Sequence, residues 1–346
     1  QSLLFTVSDY LGDYFDQIYS DSISTYDSTF IGSLVNTGEL FYRADTENGE
    51  FQLSVGAENQ VVDYYTGGED LEPRSNSLVA SIRQSNDRLN YGAQFKYGLS
   101  DFAKDGFLLN LAADYRLSDR LSVHAKAGYS SNRPALRELY YSSNHFRWDN
   151  RDFDKGRMID YNITFKLPAR TSVTVSGILN KDFYYYESDK LPKLYDENTG
   201  LTEFRLSNFT YWGKVGVESL VSYFITSDDR IYPTPTFAFR EQLYFRSLLF
   251  RGAVNFRSGF IVRYNTRNKA RGFMPATGVF YRQDEKETGS YLFIDYFMRF
   301  TIKTTTLFIM VEHFNSGFGD RDYFLTPSNP MPGRAFKFGF SWNFFD

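Results

Sequence analysis

Cysteine is absent from the 346 residues, which excludes disulfide frameworks and thiolate metal sites and is compatible with an exported bacterial protein. Histidine is scarce. His124, His145 and His313 stand far apart, none with an acidic or cysteine partner at metal-ligand spacing, so no metal or other cofactor is expected. No apolar run approaches the ~18 residues of a membrane helix, and mean hydropathy is −0.43. Neither point argues against a membrane barrel, because the lumen-facing half of each strand is polar and lowers the average. A positive balance is missing too: net charge is −4 and pI near 5.6, so no nucleic-acid partner is expected. No Gly-x-Ser-x-Gly elbow, phosphate-cradling glycine loop or His-Glu-x-x-His occurs, and the expected class is non-enzymatic. The given sequence opens on no signal-peptide pattern; for an exported protein it is then expected to be the mature chain or a fragment of it, and Gln1 suits a processed N-terminus.

Aromatic residues are in excess instead, at 19%, with 27 Tyr and 35 Phe against 3 Trp. The C-terminal stretch shows how they are used. Phe336, Phe338, Phe340, Trp342 and Phe344 share one parity, while Lys337, Gly339, Ser341 and Asn343 share the other. That is the period-two pattern of a strand between two different solvents. An aromatic strand closing the chain is also how outer-membrane barrels end, and the barrel assembly machinery reads that strand.

The same alternation recurs upstream. Phe51, Leu53, Val55 and Ala57 are followed by Leu78, Ala80 and Ile82, and later by Leu109, Leu111 and Ala113. Leu292, Ile294, Tyr296, Met298 and Phe300 form one of the last such runs. Connections alternate as well: tight turns such as Asn48-Gly49 and Ser118-Asp119-Arg120 are succeeded by long polar segments, the longest over residues 131–155, 266–287 and 317–333. Asn-Gly supplies the positive φ of a hairpin turn. Short turns on one side and long loops on the other are the habit of outer-membrane barrels. The expected fold is therefore all-β, a transmembrane antiparallel up-and-down barrel of about 16 strands, within roughly 14 to 18, forming a single domain over residues 1–346. Residues 1–27 are expected to hold a first strand or the remnant of a longer N-terminus. A soluble sandwich or propeller accounts for the alternation but not for the aromatic excess or the loop asymmetry. A truncated transporter barrel would carry a plug domain and ~22 strands, neither of which is seen.

Parity assigns faces. Leu109, Leu111, Phe256, Phe260, Ile294, Phe338, Phe340 and Trp342 are expected to meet lipid, and Arg240, Gln242, Arg246, Asn255, Arg257, Arg263, Asp295 and Arg299 to line the lumen. Glu58, Asp114, Lys126, Asp160, Lys166 and Glu218 fall on the lumen parity too. Such charges suit a water-filled pore, and equally a lumen plugged by paired charges. Arg240, Arg246, Arg257 and Arg263 would gather positive potential on one wall, with Asp295 near enough to pair with one of them, and favour anions. Tyr184, Tyr185 and Tyr186 with Tyr264 and Phe224 read as interfacial girdle or as a sugar-stacking platform.

Residues 200–346 resemble the putative porins of the Bacteroidota. The resemblance is carried by Pro233 and Pro235, Arg263-Tyr264-Asn265-Thr266, Pro275, Phe280-Tyr281-Arg282-Gln283, Asp295 and Glu312-His313. It ends on Pro330-Met331-Pro332-Gly333-Arg334 with Gly339 and Trp342. It implies an outer-membrane β-barrel, set in a bilayer with a lipopolysaccharide-type outer leaflet, and is silent on substrates. Two functions are expected from the sequence: a passive channel for small polar solutes, or a non-conducting barrel serving as an accessory subunit of a larger secretion or uptake complex. Homo-oligomers or envelope-complex partners accord with either.

Overall fold

In the computed structural model the described residues are 5–7, 15, 17–21, 25–47, 49–318, 324–327 and 329–344. Fifteen strands follow one another in a single antiparallel sheet, each beside its neighbour in sequence. They are β1 (Thr29–Thr46), β2 (Gly49–Thr66), β3 (Arg74–Ser85), β4 (Leu89–Gly98) and β5 (Phe107–Ser118). Then come β6 (Leu121–Asn132), β7 (Gly156–Leu167), β8 (Thr171–Lys181), β9 (Thr199–Trp212) and β10 (Val215–Thr226). The set ends with β11 (Phe237–Leu249), β12 (Val254–Asn265), β13 (Phe293–Ile302), β14 (Thr305–Glu312) and β15 (Ala335–Trp342). A sixteenth, short strand, Glu69–Leu71, folds back on β2.

Local chemistry explains the tight end of each hairpin. Gly49 sits at φ +103° where β1 turns into β2, and Gly213 at +59° between β9 and β10, conformations that cost glycine little. Between β3 and β4 the Asn86 side-chain oxygen accepts the amides of Arg88 and Leu89 at 2.9 and 2.7 Å, an Asx turn. Tight connections lie at 86–88, 119–120, 168–170, 213–214, 250–253 and 303–304, all at one end of the sheet. At the other end the loops run over 67–73, 99–106, 133–155, 182–198, 227–236, 266–292 and 313–334. These are called the turn end and the loop end below.

The described residues of 1–27 do not add a strand to the large sheet. Phe5–Val7 pairs with Thr25–Asp27 in a ladder separate from the large sheet, so the first long strand starts at Thr29. Among the described residues, the sheet order begins at β1 and ends at β15, with no ladder joining them. Both run from the loop end to the turn end.

Ladder registers separate the two faces. Ser54, Ser81, Gln94, Asn110, Gly128, Asp160 and Ile178 are successive partners from β2 to β8. Further on, Glu218, Gln242, Ile261 and Asp295 share that polar face. The opposite face is apolar and aromatic, with Phe338 77% and Phe340 71% exposed. Segregation is not strict, and one exception is an aromatic cluster. Tyr244, Ile261 and Phe297 pack with Phe209, Tyr211 and Met310 on the polar face, and Tyr244 is only 1% exposed.

Candidate permeation pathway

The polar face concentrates arginine on neighbouring strands. Arg240 lies directly opposite Arg263, and Arg246 opposite Arg257, across β11 and β12, while Arg257 in turn faces Arg299 on β13. Like charges at such positions repel, and the structure offsets them by different means. Arg246 stacks on Tyr211, 3.7 Å from the ring centroid, and Arg257 lies 5.5 Å from the Tyr244 centroid. Arg240 donates to Gln242 at 3.3 Å. Only Arg263 meets an acid among the described residues of this group: it pairs with the buried Asp295 and lies 4.4 Å from the Phe293 ring centroid. The aromatic cluster on the polar face is thus the support of the arginine row, a role that alternation alone does not reveal.

Every residue assigned above by parity can now be placed. Arg240, Gln242, Arg246, Asn255, Arg257, Arg263, Asp295 and Arg299 share the polar face through the β11–β12 and β12–β13 registers. Leu109, Leu111, Phe256, Phe260, Ile294, Phe338, Phe340 and Trp342 share the opposite one. Acidic and basic groups elsewhere on the polar face are partly paired, Lys96 with Glu58 and His124 with Asp114. The partner of His124 was not legible from sequence spacing, because strand pairing, not chain distance, brings Asp114 to it. Among the described residues no group of His, Asp and Glu could hold a metal. Polar-face side chains including Arg83, Gln94, Asn110, Asp114, Lys126 and Asp160 border a cavity of about 650 Å³.

Asp295 anchors a second feature at the loop end. Its carboxylate holds Arg263 and also accepts the His313 amide at 2.9 Å. The His313 ring is buried; its Nδ1 lies 2.7 Å from the Pro332 carbonyl oxygen, which requires a proton on Nδ1, and Nε2 lies 2.7 Å from the Tyr291 hydroxyl. Arg334 donates to the Ser316 carbonyl at 3.0 Å. Motif residues more than sixty positions apart in sequence therefore meet. Pro235, Arg263, Asn265, His313, Met331 and Pro332 all line one cavity of about 580 Å³.

The long loops are knitted together over the polar face. Tyr64 and Thr66, on that face of β2, donate to the carbonyls of Tyr140 and Ser142 at 2.9 Å each, so the 133–155 loop docks against the wall. Tyr141, Phe146, Trp148, Tyr186, Met274 and Val279 form one buried core from three different loops. Arg282 bonds Glu187 at 2.9 Å. Residues near the N-terminus join them: Phe15 stacks on His145 at 4.0 Å, and the Asn144 side chain caps the amides of Ser20 and Asp21 at 2.9 Å. Burial pushes the Glu138 carboxyl in this body above its usual range, more than the Ala135 amide and Arg137 pull it back. This body corrects the aromatic platform. Tyr184 stacks on Phe153 and Tyr186 is buried in the loop core, whereas Tyr264 stacks on Phe239 on the aromatic face and Phe224 lies on the polar one. The five residues form neither a platform nor a single girdle.

A family model described as putative porin matches residues 5–346. The chain belongs to the putative porin family. No curated protein matches it. Among solved structures, the ferric enterobactin receptor mutant R480A (PfeA) from Pseudomonas aeruginosa superposes with a TM-score of 0.66 at 11% identity, over 93% of this chain and 55% of the receptor. The siderophore receptor PirA from Acinetobacter baumannii gives 0.62 at 11%, over 94% and 56%. The chain spans little more than half the length of these receptors, and at such identity the likeness concerns the fold alone. That fold is the outer-membrane β-barrel, and this putative porin shares its antiparallel up-and-down sheet.

Proposed function

We propose that this barrel is a channel of the bacterial outer membrane through which small polar solutes diffuse, its polar face lining the lumen and its aromatic face meeting lipid. The observation that carries the reading is the segregation of the two faces. In water, large exposed side chains such as Phe338 and Phe340 would be a costly apolar surface; in a bilayer they are an ordinary lipid face. Barrels of this size leave an aqueous channel. Planar-bilayer recording of the purified barrel tests it: discrete conductance steps are expected, and a folded barrel silent at every voltage overturns it.

The arginine row adds an anion preference. Among the described residues Arg240, Arg246 and Arg257 meet aromatic rings or neutral groups rather than acids, and no ion pair reaches Arg299, so the wall keeps its positive sign. Charges beyond about 8 Å are screened at physiological salt, which makes the preference modest. Reversal potentials in a salt gradient should lie on the anion side and move towards cations in Arg257→Glu with Arg299→Glu. A second reading, a closed accessory barrel in a larger envelope complex, is favoured by the loop body seated on Tyr64 and Thr66. Stoichiometric partners after native purification, with no conductance, would select it. In either case β15, with its aromatic face, is the strand that assembly machinery would engage.

A further inference from the structure

One charged side chain stands on the aromatic face away from the strand ends. Among the described residues, following the registers, the other charged residues on that face are Asp63, Asp70, Arg74, Arg157 and Lys181, all at or near the loop end of their strands. Glu241 is different. It is the fifth residue of the thirteen-residue β11, its ladder neighbours are Ser219 and Val262, and Phe239 and Leu243 flank it on the same face. Its Oε2 accepts the Ser219 hydroxyl at 2.6 Å. Among the described residues no ion pair reaches it, although a carboxylate has about four acceptor sites to fill.

Glu241 also ends a polar row. Thr171, Asn208, Ser219 and Glu241 are successive ladder partners across β8 to β11 on the aromatic face. Asn208 donates to Thr171 at 2.7 Å and accepts from Thr210 at 2.6 Å. The hydroxyl and amide groups satisfy one another; the carboxylate at the end of the row has the Ser219 hydroxyl and, among the described residues, no counter-ion. In lipid an ionised group is expensive and ordinarily finds a partner, and polar side chains on such a face serve as contacts between membrane proteins.

We infer that the β8–β11 sector of the aromatic face is an interface within the membrane, and that its occupant is a second, different membrane protein presenting a Lys or Arg to Glu241. The inference rests on the assignment of that face to lipid proposed above. A second copy of this chain does not fit. Among the described residues its own aromatic face carries no cation away from the strand ends, so a self-contact would bring Glu241 either to apolar surface or to another carboxylate.

The test uses the full protein in its native outer membrane. Benzoylphenylalanine in place of Leu243, an exposed neighbour on the same face of β11, is photolysed beside a control at Leu111 on β5. The expected result is one discrete adduct at position 243 and none at 111. Its cross-linked peptide should come from a membrane-spanning segment of another protein and carry a Lys or Arg. The adduct should fall on the order of tenfold in Glu241→Leu, the loss of a single desolvated ion pair. Should that variant fail to assemble, Glu241→Gln keeps the shape without the charge, and the same loss is expected. No adduct, an adduct with a second copy, or an adduct indifferent to Glu241 overturns the inference. A separate arm isolates the face assignment. Glu241→Cys labelled by a water-soluble maleimide through the pore would overturn the assignment itself; an unlabelled cysteine with no adduct would leave it standing and remove only the interface.

Discussion

Asp295 is the acid on which the arginine wall turns, since it is buried and holds both the Arg263 guanidinium and the His313 amide. Asp295→Asn keeps an acceptor for the amide but releases the charge of Arg263 into the lumen. The reversal potential should therefore shift further to the anion side, and a shift towards cations would show that Arg263 does not face the conduction path. Asp295→Ala should instead cost about 1–3 kcal/mol of stability, because it leaves the buried amide without a partner. On the other face, Ile294→Arg or Leu111→Arg should cost about 2–4 kcal/mol or abolish assembly, while Asn110→Arg on the polar face is accommodated. Denaturation in lipid vesicles compares them, and equal tolerance at both positions would reverse the faces. These residues were legible from the sequence because a strand repeats every two residues, so one secure position fixes its neighbours. Glu241 carried the same signal, but Arg240-Glu241-Gln242 is polar at all three positions, and only the ladder register shows which of the three stands on the aromatic face.

The elements divide into strands that the sequence announces and a loop body that it does not. Alternation and turn residues mark β2 to β15, since both are local. The body built from 133–155, 182–198 and 266–292 depends on contacts such as Tyr141 with Ala276, 3.4 Å apart and far apart in the chain, which no spacing rule reaches. Its docking on Tyr64 and Thr66 predicts that Tyr64→Phe with Thr66→Val loosens the 133–155 loop and raises single-channel conductance. Unchanged conductance would mean that the loop does not obstruct the path. Acidity should act in the opposite direction. Glu138 has its folded-state carboxyl raised by burial, so the docked loop binds a proton that the undocked loop releases between the ordinary carboxylate value and the raised one. Docking therefore strengthens as pH falls through that window and weakens as pH rises through it. Amide exchange over 136–149 should slow on acidification after correction for intrinsic rates, and Glu138→Gln should reduce the dependence, the remainder coming from Asp27, which accepts the Asn144 amide and is likewise raised by burial.

For the whole molecule, the sequence shows an outer-membrane barrel of about 16 strands, and the fifteen-strand order with its short extra strand accords with it. The start of the sheet was less legible, because Leu3, Phe5 and Val7 alternate like a spanning strand while tertiary contacts carry Phe15, Gln17, Ser20 and Asp21 to the loop body. The result is a sheet whose ends, β1 and β15, run in the same direction. In a bilayer an unpaired strand edge is not sustained, because no water reaches its amides and carbonyls. β1 is eighteen residues long, with Leu40 85% and Phe41 69% exposed on opposite faces, so its outer edge must be paired in the membrane. Two arrangements satisfy that demand. A direct parallel ladder would join β1 to β15, or an odd number of strands running the other way would stand between them. Hydrogen exchange on the protein in its own membrane should find the β1 amides as protected as those of β2, and rapid exchange along β1 would show an open edge. Cysteines at Leu34, Asn36, Gly38 and Leu40, each combined with one at Phe338, then distinguish the two arrangements. Oxidative cross-linking at one of these pairs means direct closure; with β1 protected and no pair cross-linked, intervening strands complete the wall.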